Sequence, residues 1–256
     1  MSGRWAYHRC MLRTMAAAGV AALMLIGGGP AAPAVAVPTP VPTPVPTPVP
    51  TPGPVPYSFP YQPLWPFPGQ PAADDWLQER RPLGESLWHA DPAATALKFT
   101  REFLGFTDLD RTTMVNVQPR EAWVGVGQAD PRGQPMTVAT LHLARLGPAA
   151  DAPWSVVGTE DTELTLDTPA YGSPVQPVLD VGGIVSGVDE SLHVQARQIS
   201  GLLGEFCCLP AGGQRSPWSV SVPMSPAQPG AVTVVVSTGG HYAAIERFAI
   251  TGLRAN

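Results

Sequence analysis

The sequence predicts an α+β domain followed by an all-β sandwich, the two preceded by a proline-rich stalk. Three observations carry that prediction. The tetrapeptide VPTP repeats from Val37 to Pro52, and alternating prolines exclude both helix and sheet. One well-capped helix, "DPAATALKFTREFLG" from Asp91 to Gly105, stands before a run of strand-like segments. After Pro169 the helical periodicity stops, and short alternating segments separated by Gly and Pro take over.

The chain begins with a positive stretch holding Arg4, Arg9 and Arg13, then an apolar run from Met15 to Ile26. Gly and Pro break that run, and Ala34-Val35-Ala36 offers small residues at the spacing a signal peptidase reads. That order predicts a signal peptide over 1–36, with export and a mature chain starting near Val37. The alternative is an uncleaved anchor, in which case the protein touches the membrane only through this retained segment. The apolar run is short against the roughly 20 residues a span requires. Cys10 precedes the run, so no lipoprotein signature is present.

Residues 37–56 form the expected linker. Proline fixes φ and removes an amide donor, so the repeat favours polyproline II. At roughly 3.1 Å per residue it spans about 60 Å, enough to hold a folded part away from a membrane, a wall or a second attachment. Its threonines are candidate O-glycan sites; a bare spacer is the alternative. Residues 57–75 alternate prolines with Tyr57, Phe59, Tyr61, Leu64, Trp65 and Phe67. Rings this large are costly to leave in water, which predicts an arm packed on the neighbouring domain. A docking segment for a partner's groove is the functional alternative.

Composition narrows the class. Removing Arg4, Arg9 and Arg13 from the 15 basic residues leaves 12 against 20 acidic, a mature net charge of −8 with no basic patch. Nucleic acid is therefore not an expected partner. Lys98 is the only lysine. After the signal segment only Cys207 and Cys208 remain, so no ordinary disulfide framework is available and the fold must rest on apolar cores.

The α+β domain is expected over residues 76–168. Asp91 is an N-cap, Pro92 suits the first turn, and Gly105 is a natural C′ residue. Ala96, Phe99, Phe103 and Leu104 fall on one helical face. Strands are expected over 113–117, 122–126, 136–146, 154–157 and 163–166, with "ADPRGQP" as a turn. The sandwich is expected over 169–256. Leu192, Val194 and Ala196 alternate with His193, Gln195 and Arg197. Trp218, Val220 and Val222 alternate with Ser219 and Ser221, and Val232, Val234 and Val236 follow. Two sheets burying these faces make a small immunoglobulin-like core.

The segments "YGSPVQPVLDVGGIVSGVDESLHVQARQ", "SPWSVSVPM" and "VTVVVSTGG" resemble the immunoglobulin-like domain of bacterial sporulation and germination proteins over about residues 169–256. The whole layout is similar to uncharacterised exported proteins of high-GC Gram-positive bacteria. The resemblance implies a sandwich fold and an extracellular accessory or binding module, and it carries over no catalytic residues. Cys207-Cys208 lies outside its pattern.

Chemistry-bearing residues are sparse. His89, His142, His193 and His241 make no paired metal spacing. "STGG" lacks the lysine and the partner motif of penicillin-binding enzymes, and "GIVSG" is not a nucleophile elbow. The carboxylates Glu160, Asp161 and Glu163, Asp189 and Glu190, and Asp108 and Asp110 read as solvated turn groups, with no calcium loop. No catalytic residue, cofactor or metal is expected. The one site singled out is a candidate vicinal disulfide, Cys207–Cys208, expected in a surface loop "GLLGEFCCLPAGGQ" and exposed to oxidation on export. Reduced thiols or a link between two chains are its alternatives. The expected role is non-enzymatic binding of a cell-envelope or extracellular ligand, or accessory work at the cell surface. The rival is a hydrolase of wall or extracellular polymer, which a pocket lined by Trp123, His142 and acidic groups would favour.

Overall fold

Alternating apolar and polar residues dictate strands, and strands dominate the chain. The computed structural model describes residues 57–161, 163–240 and 243–256, with backbone only at 188–190. The segment expected as a signal peptide, the stretch expected as a linker and His241 lie outside the described residues. Strands β1 (Arg111–Val117), β2 (Glu121–Ala129), β3 (Pro135–Arg145) and β4 (Trp154–Glu160) form one antiparallel sheet in that order. Strands β5 (Val178–Gln198), β6 (Gly201–Pro223), β7 (Gly230–Thr238) and β8 (Arg247–Ala255) form a second, ordered β6-β5-β7-β8. The protein is thus mostly β, with a few short helices. The segment expected as a strand at 163–166 makes only an isolated bridge, Leu164 with Val185.

Helix α1 (Gln70–Asp75) carries Pro71 in its first turn. Helix α2 (Pro92–Lys98) forms where its caps say it should. The Asp91 carboxylate accepts hydrogen bonds from the Ala93 and Ala94 amides at 2.9 and 3.4 Å, satisfying donors that the helix leaves orphaned. The helix runs on as one π-helical turn, Phe99–Phe103. Gly105 then takes φ +82°, and the Phe106 amide closes the end by donating to the Thr100 carbonyl at 3.0 Å.

The apolar face of this helix packs on the first sheet. Ala96, Phe99, Phe103 and Leu104 join Val124, Val126, Leu141, Leu143, Trp154 and Val156 in one core. Val235, Phe248 and Ile250 of the second sheet belong to the same core. Residues 57–161, 163–240 and 243–256 all fall within one compact unit, Gly53–Asn256. The boundary expected between 168 and 169 falls between two sheets that share this core.

A second core occupies the other face of β7 and β8. Leu192, Val194 and Ala196 meet Val232, Val234 and Val236 there, as the alternation predicts. Leu179, Val181 and Val185 of β5 and Trp218 and Val222 of β6 enter the same core. The inward residues of β5 are odd-numbered before residue 187 and even-numbered after residue 190. Ladder irregularities between Val185 and Glu190 make that switch. A bulge inserts residues and bends a strand, and the change of parity lets both halves of β5 face the same core.

The arm leading into α1 is a tie between layers. Trp65 pairs with Val156 on the open side of β4: the Leu64 amide donates to Val156 O at 3.0 Å, and the Val156 amide donates to Trp65 O at 2.9 Å. The Tyr171 hydroxyl takes the Gln62 amide at 2.7 Å. Leu64 and Phe67 are buried. The expectation that the rings pack on the neighbouring domain matches this course.

Candidate functional site

Two surfaces gather polar and aromatic side chains. The first lies on the side of sheet one turned away from the shared core. Leu141 and Leu143 point into that core, so His142 between them points out. Its neighbour across the ladder is Trp123 of β2. The rings stack with centroids 5.1 Å apart and 2° between their planes. Tyr61 of the arm meets the imidazole edge-to-face at 5.2 Å, and Phe59 meets Tyr61 at 5.8 Å. An aromatic row therefore crosses from the arm onto the sheet.

Two carboxylates bracket the row. Glu160 of β4 accepts from Trp123 Nε1 at 2.6 Å. Glu121 accepts from the Tyr61 hydroxyl at 2.7 Å, and that bond to a carboxylate raises the pKa of the phenol above its usual value. Glu121 Oε2 lies 3.5 Å from His142 Nε2, which is buried and makes no hydrogen bond. The structure thus brings Trp123 and His142 together with acidic groups, but it spends those groups on each other. The pairing of Tyr61 with Glu121 went unnoticed in the sequence because sixty positions separate them and neither carries a local motif.

The second surface is the β5–β6 hairpin. An open groove of about 1290 Å³ adjoins it, walled by Ser186, Ser191, Leu209, Gln214, Ser216 and Trp218. The Trp218 indole is 6% exposed and its N–H has no hydrogen-bond partner. Gly213 takes φ +115° in the wall, a conformation that favours glycine, and a Cβ there would come within 2.3 Å of the Ser216 hydroxyl.

Beside the groove sit Cys207 and Cys208, joined by a disulfide with their Cα atoms 3.7 Å apart. The expected surface loop is instead part of β6, and this is a correction. The segment pairs with β5 on both sides of the cysteines, Phe206 with Val194 and Leu209 with Leu192. Two residues of β6 therefore face one of β5, His193, which is the geometry of a bulge. Both cysteines are exposed.

The remaining candidates are engaged as ordinary polar groups. Asp161 accepts the Glu163 amide at 2.8 Å, and Glu163 pairs with Arg247. Asp110 is tied to Arg111 at 2.8 Å, which holds its carboxyl below the usual range. His193 lies 3.4 Å from Glu205. His89 is buried among Phe67, Trp76 and Trp88, with centroid separations of 4.6, 5.0 and 3.8 Å. Among the described residues no group of three or more His, Cys, Asp or Glu side chains is placed to hold a metal. Among them, too, no helix is long and apolar enough to cross a membrane.

No protein-family model matches this chain, and no curated protein matches it either.

Proposed function

We propose that the protein is an exported, stalk-borne binding or accessory protein of the cell envelope that performs no catalysis, with an immunoglobulin-like module over residues 169–256. The observation that carries this reading is the long open groove on the β5–β6 hairpin. Its wall offers hydroxyls, an amide side chain and glycine backbone, with Leu209, Pro210 and Ala211 as apolar members. Such a lining suits an extended, neutral, hydroxyl- or amide-rich polymer, because it supplies hydrogen bonds and apolar contact without an unpaired charge. The VPTP repeat, read as the spacer its prolines predict, fits the same role.

The hydrolase reading draws on the gathering of Trp123, His142, Glu121 and Glu160. Three features there favour binding over catalysis. Glu160 is committed to Trp123, Glu121 is committed to Tyr61, and His142 Nε2 is buried. A general acid or base must instead reach the proton it moves.

The test is retention of the chain from Val37 onward on cell-envelope fractions, beside a Gln214→Trp variant that fills the groove at an exposed wall position. Retention by the parent chain and its loss in the variant support the reading. Equal retention by both places binding elsewhere, and release of soluble fragments from wall polymer by the parent chain favours the hydrolase.

A further inference from the structure

The Cys207–Cys208 pair stands apart from the rest of the polar surface. It is exposed, it lies on a strand that forms the open edge of its sheet, and it adjoins the groove through Leu209 and Pro210. An inert structural cross-link would join distant parts of the chain and restrict the unfolded state, more so for longer loops. A bond between neighbours closes almost no loop and contributes little in that way. Its effect is local. It encloses the Cys207–Cys208 peptide in a small ring and holds Cys208 at φ +70°, a region that L residues rarely adopt.

The ladder shows what that ring controls. On one side, Val194↔Phe206 is fixed by the second core, where Val194 is fully buried. On the other, Gly183↔Trp218 is fixed by the burial of Trp218 in the same core. Between these two anchors lies the stretch from Cys207 to Gly213. It contains the cysteine bulge and, opposite Gly187 and Glu190, a further break in register at Ala211 and Gly213. That stretch supplies Leu209, Pro210, Ala211, Gly212 and Gly213 to the groove wall. Leu209, opposite the fully buried Leu192, and Ala211 also lean on the second core, so the ring sets the path of the chain at Cys207 and Cys208, where the wall begins.

We propose that Cys207–Cys208 is a two-electron redox site that exchanges stoichiometrically with a dithiol, and that its state sets the shape of the adjoining groove wall. A thiolate of the dithiol attacks one sulfur, forming a mixed disulfide and releasing the other cysteine as a thiolate that takes up a proton. The second thiol of the dithiol then closes its own disulfide and frees the first cysteine, which also takes up a proton. The dithiol is oxidised and the cysteine pair gains two electrons and two protons. Both sulfurs belong to exposed residues, and exposure is one condition for thiolate exchange. Once open, the ring no longer holds Cys208 at positive φ. The bulge opposite His193 relaxes, and the wall between the anchors moves with it. The inference rests on the groove being the binding surface only for its consequence; the redox chemistry and the wall movement are independent of any ligand.

The test uses the full chain without ligand. Intact mass is measured after air oxidation and after treatment with dithiothreitol, and backbone hydrogen exchange is followed in both states. The expected result is a monomer that gains the mass of two hydrogens on reduction, with exchange at residues 205–213 accelerated by roughly tenfold and little change in β7 and β8. A Cys207→Ala, Cys208→Ala variant should exchange like the reduced chain whether or not dithiothreitol is present. Free thiols after air oxidation, a reducible dimer, or identical exchange at 205–213 in both states would overturn the proposal. Loss of envelope retention in the Gln214→Trp variant, or its absence, leaves these outcomes unaffected.

Discussion

The Thr159 hydroxyl clasps the backbone of Ile250 at both ends, accepting from its amide at 2.9 Å and donating to its carbonyl at 3.4 Å. Thr159 lies on β4 and Ile250 on β8, so one side chain joins the two sheets where Ile250 enters the shared core. Replacing Thr159 by Val keeps the shape and removes both bonds, leaving an amide of a buried residue without its partner. That costs about 1–3 kcal/mol. Urea unfolding of T159V should show a lowered midpoint with an unchanged slope, and T159S should retain most of the stability. A parental midpoint in T159V would show that the clasp contributes nothing.

His89 sets a pH dependence. Burial among three aromatic rings disfavours the imidazolium, with Arg80 and Lys98 adding repulsion, and the pKa falls from 6.5 to about 4. A histidine whose folded pKa is lowered binds fewer protons folded than unfolded between those two values. Its stabilising effect is therefore complete above the unfolded pKa and is lost as pH falls from about 6.5 toward about 4, by up to about 3 kcal/mol. Thermal or urea unfolding across that window should show the decline, and His89→Phe should flatten it. A slope that persists undiminished in H89F would assign it to other groups.

Gly252 permits the arm to cross β8. A Cβ there would stand 2.7 Å from Leu64 Cδ2, 3.1 Å from Tyr171 Cε2 and 3.2 Å from Gln62 Cβ. Gly252→Ala should lift the arm at a cost of about 1–3 kcal/mol. Limited proteolysis reports it directly, since cleavage between Tyr57 and Leu64 should quicken in G252A while the strands stay protected. Parental cleavage rates would mean that the arm shifts aside without loosening.

Asp91 supplies the N-cap of α2, and Asp91→Ala should cost about 1 kcal/mol. Asp91→Asn should recover most of it, because the amide oxygen also accepts from the Ala93 amide. A D91N variant as unstable as D91A would assign the loss to charge, not to the cap.

Some of this structure is legible in the sequence because its causes are local. The Asp91 cap, the Gly105 stop and the alternation from Leu192 to Ala196 each sit within a few residues, and each appears where expected. The double burial of β7 is legible only in part. Val232, Val234 and Val236 read as one inward face, but Val235 is also buried, against the first core. A near-continuous valine run is what a strand covered on both faces requires. The loop expected around Cys207 failed for a different reason. Gly and Pro are breakers inside a sheet, yet an open edge strand with bulges tolerates them, and β6 is such an edge. The meeting of Tyr61 with Glu121, and of both with His142, has no local signal at all. It exists because the arm, β2 and β3 converge in space.

The arm has a mechanical consequence. Any pull on the chain from its N-terminal side enters the folded body at Tyr57. There the Tyr57 hydroxyl donates to Arg145 O at 3.3 Å, Tyr61 holds Glu121, Tyr171 holds Gln62, and Trp65 is laced to Val156. The ties from Tyr57 to Gln62 take the load before Leu64 and Trp65, which lie in and against the first core, are strained. A pull from that side therefore meets the hydrogen bonds of Tyr57, Tyr61 and Gln62 first, and the strands β1 to β8 only after them.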